Sequence, residues 1–176
     1  MGGAPKGLLT VTPSRTVLDV LTESARAAGL EVVLVGRHPA YAALPHLTLD
    51  DAPGGHGPVA GLVSLLRHAG DRMSVSLACD APFVSSALLI RLLAAPAAVA
   101  LAPRGPRGWE PFCARYTSAD ALPELSRLHA AGHTRLQDVL DSLETSVFEL
   151  TESDAHALRD WDSPADVARD LGERSG

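Results

Sequence analysis

The sequence predicts an α/β fold in which helices flank a mainly parallel sheet, a three-layer sandwich. Three observations lead there. Short β-branched or wholly apolar runs alternate with helical stretches of roughly ten to fifteen residues, the pattern of right-handed βαβ crossovers. The run Met73 to Cys79 is almost entirely apolar, as in a strand buried on both faces. Composition is that of an ordinary globular chain, 46% hydrophobic and 20% charged, so neither disorder nor a coiled coil is favoured. The length of 176 residues suits a single domain over 1–176.

Taken in order, Thr16 to Ala28 is amphipathic and ends at Gly29, a helix, and Glu31 to Gly36 is a β-branched run closed by glycine, a strand. Leu47 to Asp50 reads as a strand, and Pro58 to Ala69 as a helix with proline in its first turn. Met73 to Cys79 is the third strand, and Ser85 to Ala94 a helix with serines available as caps. Ala97 to Ala102 and Phe112 to Thr117 are strands, Ala119 to Ala131 and Thr134 to Leu143 helices. Ser146 to Thr151 is a last strand, and Pro164 to Leu171 a closing helix. No repeat or low-complexity linker interrupts the series.

Charge and cysteine usage narrow the functional classes. Fifteen Lys and Arg against twenty-one Asp and Glu give −6, and no segment gathers the cations into a face for nucleic acid. No run approaches the ~18 apolar residues of a membrane span. Cys79 and Cys113 lie in apolar stretches without paired spacing, which predicts buried thiols in a reducing compartment, hence the cytoplasm. The only lysine among the fifteen cations is Lys6, and in so arginine-biased a chain its retention marks it as a candidate for a specific contact.

Parallel α/β sheets bind ligands at the carboxyl ends of their strands, so the residues just past each strand are the candidates. Asp80 follows the third strand, where it can serve a hard cation such as Mg²⁺ or cap the following turn before Pro82. Asp160 and Asp162 share one side of an extended segment and can face the same cation, or cap the last helix before Pro164. The glycine-rich stretch Asp50 to Gly61 joins a strand to a helix start, a place for backbone N–H groups to meet an anion or a base, or simply a turn. Met1 to Lys6 combines two glycines with the lysine, a pattern suited to phosphate contacts or to a loose tail.

In sequence order these blocks resemble the molybdenum cofactor guanylyltransferases, within the nucleoside-triphosphate transferases of Rossmann-like fold. Met1 to Lys6 is similar to the M-G-x-x-K end of the family's first motif, and the strand-end position that is usually Asn falls near Gly36. Asp50 with Gly57-Pro58-Val59-Ala60-Gly61 resembles the Asp before G-P-L-A-G, and Cys79-Asp80-Ala81-Pro82 the C-D-x-P motif. Glu110-Pro111-Phe112-Cys113-Ala114-Arg115-Tyr116 is similar to E-P-x-x-A-x-Y. Gly132-His133-Thr134-Arg135-Leu136-Gln137-Asp138 resembles G-H-x-R-x-x-D, and Asp160-Trp161-Asp162-Ser163-Pro164-Ala165-Asp166 the C-terminal N-x-N-T-P-x-D. Two departures stand out. Asp160 and Asp162 replace the Asn pair, as in related cytidylyltransferases, and the family's first strand with its L-A-G-G-x-S-x-R segment is absent, so the domain is expected to be truncated at its N-terminus relative to the family.

The resemblance implies transfer of GMP from GTP to molybdopterin with release of pyrophosphate and a requirement for Mg²⁺. It implies Asp80 as the metal ligand with Asp162 as a second, and Lys6 and Asp80 as the catalytic pair. Lys6, Gly36, Asp50, Gly57 and Asp80 would bind nucleotide, with Asp50 accepting from guanine or ribose. Arg104 and Arg107 are candidates for the pterin phosphate, or solvated loop residues. Molybdoenzyme maturation proteins are candidate partners. His129 and His133 have i, i+4 spacing, but Gly132 interrupts the helix between them and they are expected to be ordinary helix-end histidines. The alternatives are a cytidylyl- or sugar-nucleotidyltransferase of the same fold and a non-catalytic nucleotide-binding relative lacking the glycine-rich loop.

Overall fold

The computed structural model describes residues 5–106, 108–159, 161 and 166. A 3-10 turn at Lys6–Leu8 leads into strands β1 (Thr10–Thr12) and β2 (Arg15–Thr16) and helix α1 (Val17–Ala27). Then come β3 (Val33–Val35), a 3-10 turn at Pro39–Tyr41, β4 (Leu47–Leu49), α2 (Pro58–Ala69), β5 (Met73–Leu77) and α3 (Ser86–Ala94). The remaining elements are β6 (Ala100–Ala102), β7 (Arg104–Gly105), β8 (Gly108–Trp109), β9 (Cys113–Thr117), α4 (Ser118–Ala130), α5 (Leu136–Ser142), β10 (Thr145–Val147) and α6 (Glu152–Ala157). Contacts group them into two compact units, one of residues 1–31, 78–91 and 150–176, the other of residues 32–77 and 92–149.

The second unit holds most of the sheet. Four strands run in the order β10-β6-β9-β5, and β3 pairs with β4 in a separate two-stranded parallel ladder that sets Val33 opposite Leu47. The α/β class is as expected, but the sheet is mixed rather than mainly parallel. β10 and β6 are parallel, whereas β9 runs antiparallel to both β6 and β5. The reason is the connection. Residues 103–112 between β6 and β9 contain a short hairpin and no helix, and a parallel return needs a crossover of a dozen or more residues.

A second correction concerns the apolar run at Met73. β5 ends its sheet, so only Ser74 of its five residues is buried, while all of β6 and the first four residues of β9 are. The strand also stops at Leu77. Cys79 therefore lies in the following turn and is exposed, not buried as expected; Cys113, on β9, is buried. Val59, Val63 and Leu66, spaced to share one face of α2, join Leu125 and Leu128 of α4 and Ala100, Ala114 and Tyr116 of the sheet in one buried cluster.

Arg115, on β9, is 1% exposed and is used as a helix cap. Its Nη1 donates to the carbonyls of Leu92, Leu93 and Ala95 at 3.0, 3.2 and 2.8 Å, and its Nη2 to that of Pro96 at 2.5 Å. The last carbonyls of a helix lack intrahelical donors and carry its partial negative charge, so a fixed guanidinium meets both needs at the end of α3. Burial lowers the guanidinium's pKa from its ordinary value.

The first unit is built around α1. Thr16 and Asp19 form a capping box, the Thr16 hydroxyl accepting from the Asp19 N–H and the Asp19 carboxylate from the Thr16 N–H. α1 packs against the 3-10 turn that carries Lys6, and Val17 N–H donates to the Leu9 carbonyl at 2.9 Å. α3 begins as expected, with the Ser85 hydroxyl accepting from Leu88 N–H. Strands β1, β2, β7 and β8 and helix α6 went unpredicted because two to six residues are too few to show a period. The expected helix Pro164 to Leu171 lies outside the described residues except for Asp166.

Replacing Arg115 with Met is expected to strand several buried carbonyls at once. Each unsatisfied group costs about 1–3 kcal/mol, and a loss of about 2–4 kcal/mol in a urea titration is the expected outcome. Unchanged stability would show that the cap does not hold α3.

Candidate active site

Two of the predicted residues meet in the first unit. The ammonium of Lys6 donates to Asp80 Oδ2 at 2.7 Å, although the residues are 74 apart in sequence. The two side chains are 31% and 18% exposed, so the pair is partly shielded and still open to a ligand. Local structure sets both. Lys6 sits on the turn braced by α1, and Asp80 lies in the turn between β5 and α3, with its own carbonyl accepting from Trp161 N–H at 2.8 Å. Trp161 is fully buried and meets Phe83 edge-on at 6.0 Å, while the Arg159 guanidinium lies 5.5 Å from the centre of the Phe83 ring. Sequence reasoning overlooked Trp161, whose signal was a large aromatic inside an acidic segment.

The acceptor chemistry here suits a hard cation in one particular mode. Among the described residues no group of three or more His, Cys, Asp and Glu side chains could hold a metal alone. Mg²⁺ commonly takes one or two carboxylates and completes its shell with water and substrate phosphate, and Asp80 fits that mode. Asp160 and Asp162 lie outside the described residues, as do Met1 to Ala4 and Arg107.

The second unit carries the other predicted positions. Asp50, just past β4, is exposed, and its two oxygens accept from Nε and Nη2 of Arg37, the latter at 3.0 Å. These hydrogen bonds from Arg37 hold the Asp50 carboxyl below its ordinary range. Gly36 follows β3 with φ +83°, and its open side faces Asp51 Oδ1. A Cβ at Gly61 would also stand 3.4 Å from that oxygen, so Asp51 rather than Asp50 lies beside the two glycines. Gly57 is the N-cap of α2 with φ +82° and ψ −168°, a conformation that side chains other than glycine's rarely adopt. It sets the helix start with Pro58 at its first position.

One further contact shapes the loop. A Cβ at Gly55 would stand 2.4 Å from His129 Nε2, on α4. Gly55 is not among the glycines with positive φ, so the restriction comes from the imidazole and not from the backbone. His133 is placed elsewhere, exposed and 3.2 Å from Asp138. The two histidines thus lie in different surroundings. Gly55→Ala is expected to cost about 1–3 kcal/mol through overpacking, and His129→Ala in the same chain should recover most of it. Urea titrations of the single and double variants check this, and a Gly55→Ala protein as stable as wild type would remove the contact from consideration.

The fold is one shared with α/β nucleotidyltransferases. The molybdopterin-guanine dinucleotide biosynthesis protein A from Archaeoglobus fulgidus superposes with TM-score 0.78 at 23% identity, covering 98% of this chain and 92% of that one. The 2-C-methyl-D-erythritol 4-phosphate cytidylyltransferase from Thermus thermophilus gives TM-score 0.71 at 17% identity, with 98% and 95% covered. The family model of the MobA-like NTP transferase domain matches residues 1–147, and the chain belongs to that family. A molybdenum cofactor guanylyltransferase of Pseudomonas putida is 32% identical over 169 residues, 93% of this chain and 87% of the relative. A probable molybdenum cofactor guanylyltransferase of Deinococcus radiodurans is 33% identical over 166 residues, 91% and 82%.

Proposed function

We propose that this protein transfers GMP from GTP to the terminal phosphate of molybdopterin, forming the guanine dinucleotide cofactor and releasing pyrophosphate. The names of relatives at 32% and 33% identity support the reaction. The observation that carries it is the Lys6 to Asp80 contact at 2.7 Å, a cation and a carboxylate held together across 74 residues at the carboxyl end of a strand. The reaction needs both charges. An oxygen of the acceptor phosphate bonds to the α-phosphorus of GTP as the bond to the β-phosphate oxygen breaks, and repulsion between phosphates is the chief obstacle.

Lys6 is assigned to the triphosphate, where a point charge offsets phosphate oxygens. Asp80 is assigned to Mg²⁺, with Asp162 as a second ligand. A Mg²⁺ held there would supply charge neutralisation for the triphosphate. Gly36 and Gly57 are assigned to the nucleotide through their backbones. Asp50 is assigned to the guanine, whose ring N–H and amino group form a donor pair that an ionised carboxylate accepts. Arg37 would release or share that carboxylate when the base binds. Among the described residues no helix is long and apolar enough to cross a membrane.

Two measurements test this reading. In an assay with GTP, molybdopterin and Mg²⁺, Asp80→Asn should lower transfer at least ~100-fold while circular dichroism shows the fold retained, since a neutral amide cannot offset triphosphate charge. Transfer near the wild-type rate would overturn the assignment. By calorimetry, GTP should bind at least tenfold more tightly than CTP, a difference of about 1.4 kcal/mol. Preference for CTP would make the enzyme a cytidylyltransferase.

A further inference from the structure

The β7–β8 hairpin presents an arginine on an immobilised aromatic platform. Arg104 and Trp109 are cross-strand partners, and the Arg104 guanidinium carbon lies 4.8 Å from the centre of the Trp109 ring. Trp109 is 7% exposed and is fixed by α5 through three hydrogen bonds. Its backbone N–H donates to Gln137 Oε1 at 2.9 Å, Gln137 Nε2 donates to its carbonyl at 2.6 Å, and its indole N–H donates to Asp141 Oδ1 at 2.9 Å. Gly108 completes the fit, because φ is +110° and a Cβ would stand 2.9 Å from Gln137 Oε1. The hairpin is thus anchored to α5 on one side and exposes Arg104 on the other.

That anchoring exceeds what a solvated arginine needs. Among the described residues Arg104 has no carboxylate within ion-pair distance, so the Trp109 ring and not an acidic side chain is what holds it. Stacking on an indole occupies a face of the guanidinium and leaves the N–H groups in its plane unspent. A fork of such donors matches a phosphate monoester in two parallel hydrogen bonds, and holding it in place beforehand reduces the entropy lost on binding. The hairpin also follows the carboxyl end of β6, the side on which α/β sheets take ligands.

We propose that Arg104, laid on Trp109, binds the phosphate monoester of the acceptor substrate and is the residue that distinguishes a phosphorylated acceptor from an unphosphorylated one. The identity of that acceptor rests on the proposed function, whereas the anion site does not. GTP is assigned to Lys6 and Asp80, so loss of Arg104 should affect the two substrates differently.

The test compares wild type, Arg104→Gln, Arg104→Lys and Trp109→Phe. Inorganic phosphate titrated against wild type should change tryptophan fluorescence saturably, with no response in Trp109→Phe or Arg104→Gln. In the transfer assay Arg104→Gln should raise KM for molybdopterin at least tenfold, leave KM for GTP within about twofold, and leave the melting temperature unchanged; Arg104→Lys, which keeps charge but loses the fork, should fall between. A phosphate response and KM unchanged in Arg104→Gln would overturn the proposal. So would a fall in melting temperature with KM unchanged, which would make Arg104 a packing element of the hairpin. If wild type transfers no GMP but the phosphate response disappears with Arg104, the anion site stands and the proposed reaction falls.

Discussion

The second unit depends on β9 being sandwiched between β5 and β6. Its register fixes Leu77 opposite Cys113 on one side and Ala100 opposite Tyr116 on the other, and every one of its first four residues is buried. A strand so enclosed has no freedom to slip, because a one-residue shift would turn all its side chains to the opposite face. Arg115 adds a second constraint from the same strand. Its guanidinium gathers four carbonyls at the end of α3, so a strand shift would also leave those groups unsatisfied in the interior.

Because β9 runs against its neighbours, the chain has to reverse between β6 and β9, and the reversal creates the β7–β8 hairpin. In a purely parallel sheet that span would be a helix over one face. Here it becomes an arm, and the Gln137 amide on α5, acting as both donor and acceptor to Trp109, takes the place of a neighbouring strand. The topology thus determines which side chains stand at the carboxyl end of β6.

In the first unit the controlling term is electrostatic. A carboxylate partly removed from water is costly unless a cation meets it, and Lys6 does so at 2.7 Å. The same pairing keeps together the two charges that the proposed reaction assigns to the triphosphate and the metal. The capping box at Thr16 and Asp19 supports this at a distance, by starting the helix against which the Lys6 turn packs. In the second unit the glycine-rich loop is shaped by neighbours from outside it, with His129 against Gly55 and Asp51 beside Gly36 and Gly61.

The sequence by itself determined the elements whose signals are local. α2 begins at Pro58 and ends at Ala69 as its proline, its apolar spacing and Gly70 require, and α1, α3 and α4 begin or end within a residue or two of their expected limits. It also singled out Lys6 and Asp80, one by its rarity and the other by its position after a strand. Only the tertiary structure decided that these two residues touch, since 74 residues of chain separate them and no periodicity encodes the distance. The direction of β9, the exposure of Cys79, the capping of α3 by Arg115 and the seating of Trp109 on Gln137 were settled the same way. Each depends on which strand lies at an edge and which helix packs against which loop, and hydrophobic period and turn chemistry report the conformation of neighbouring residues, while pairing between distant segments is chosen by the burial and hydrogen bonding of the whole unit.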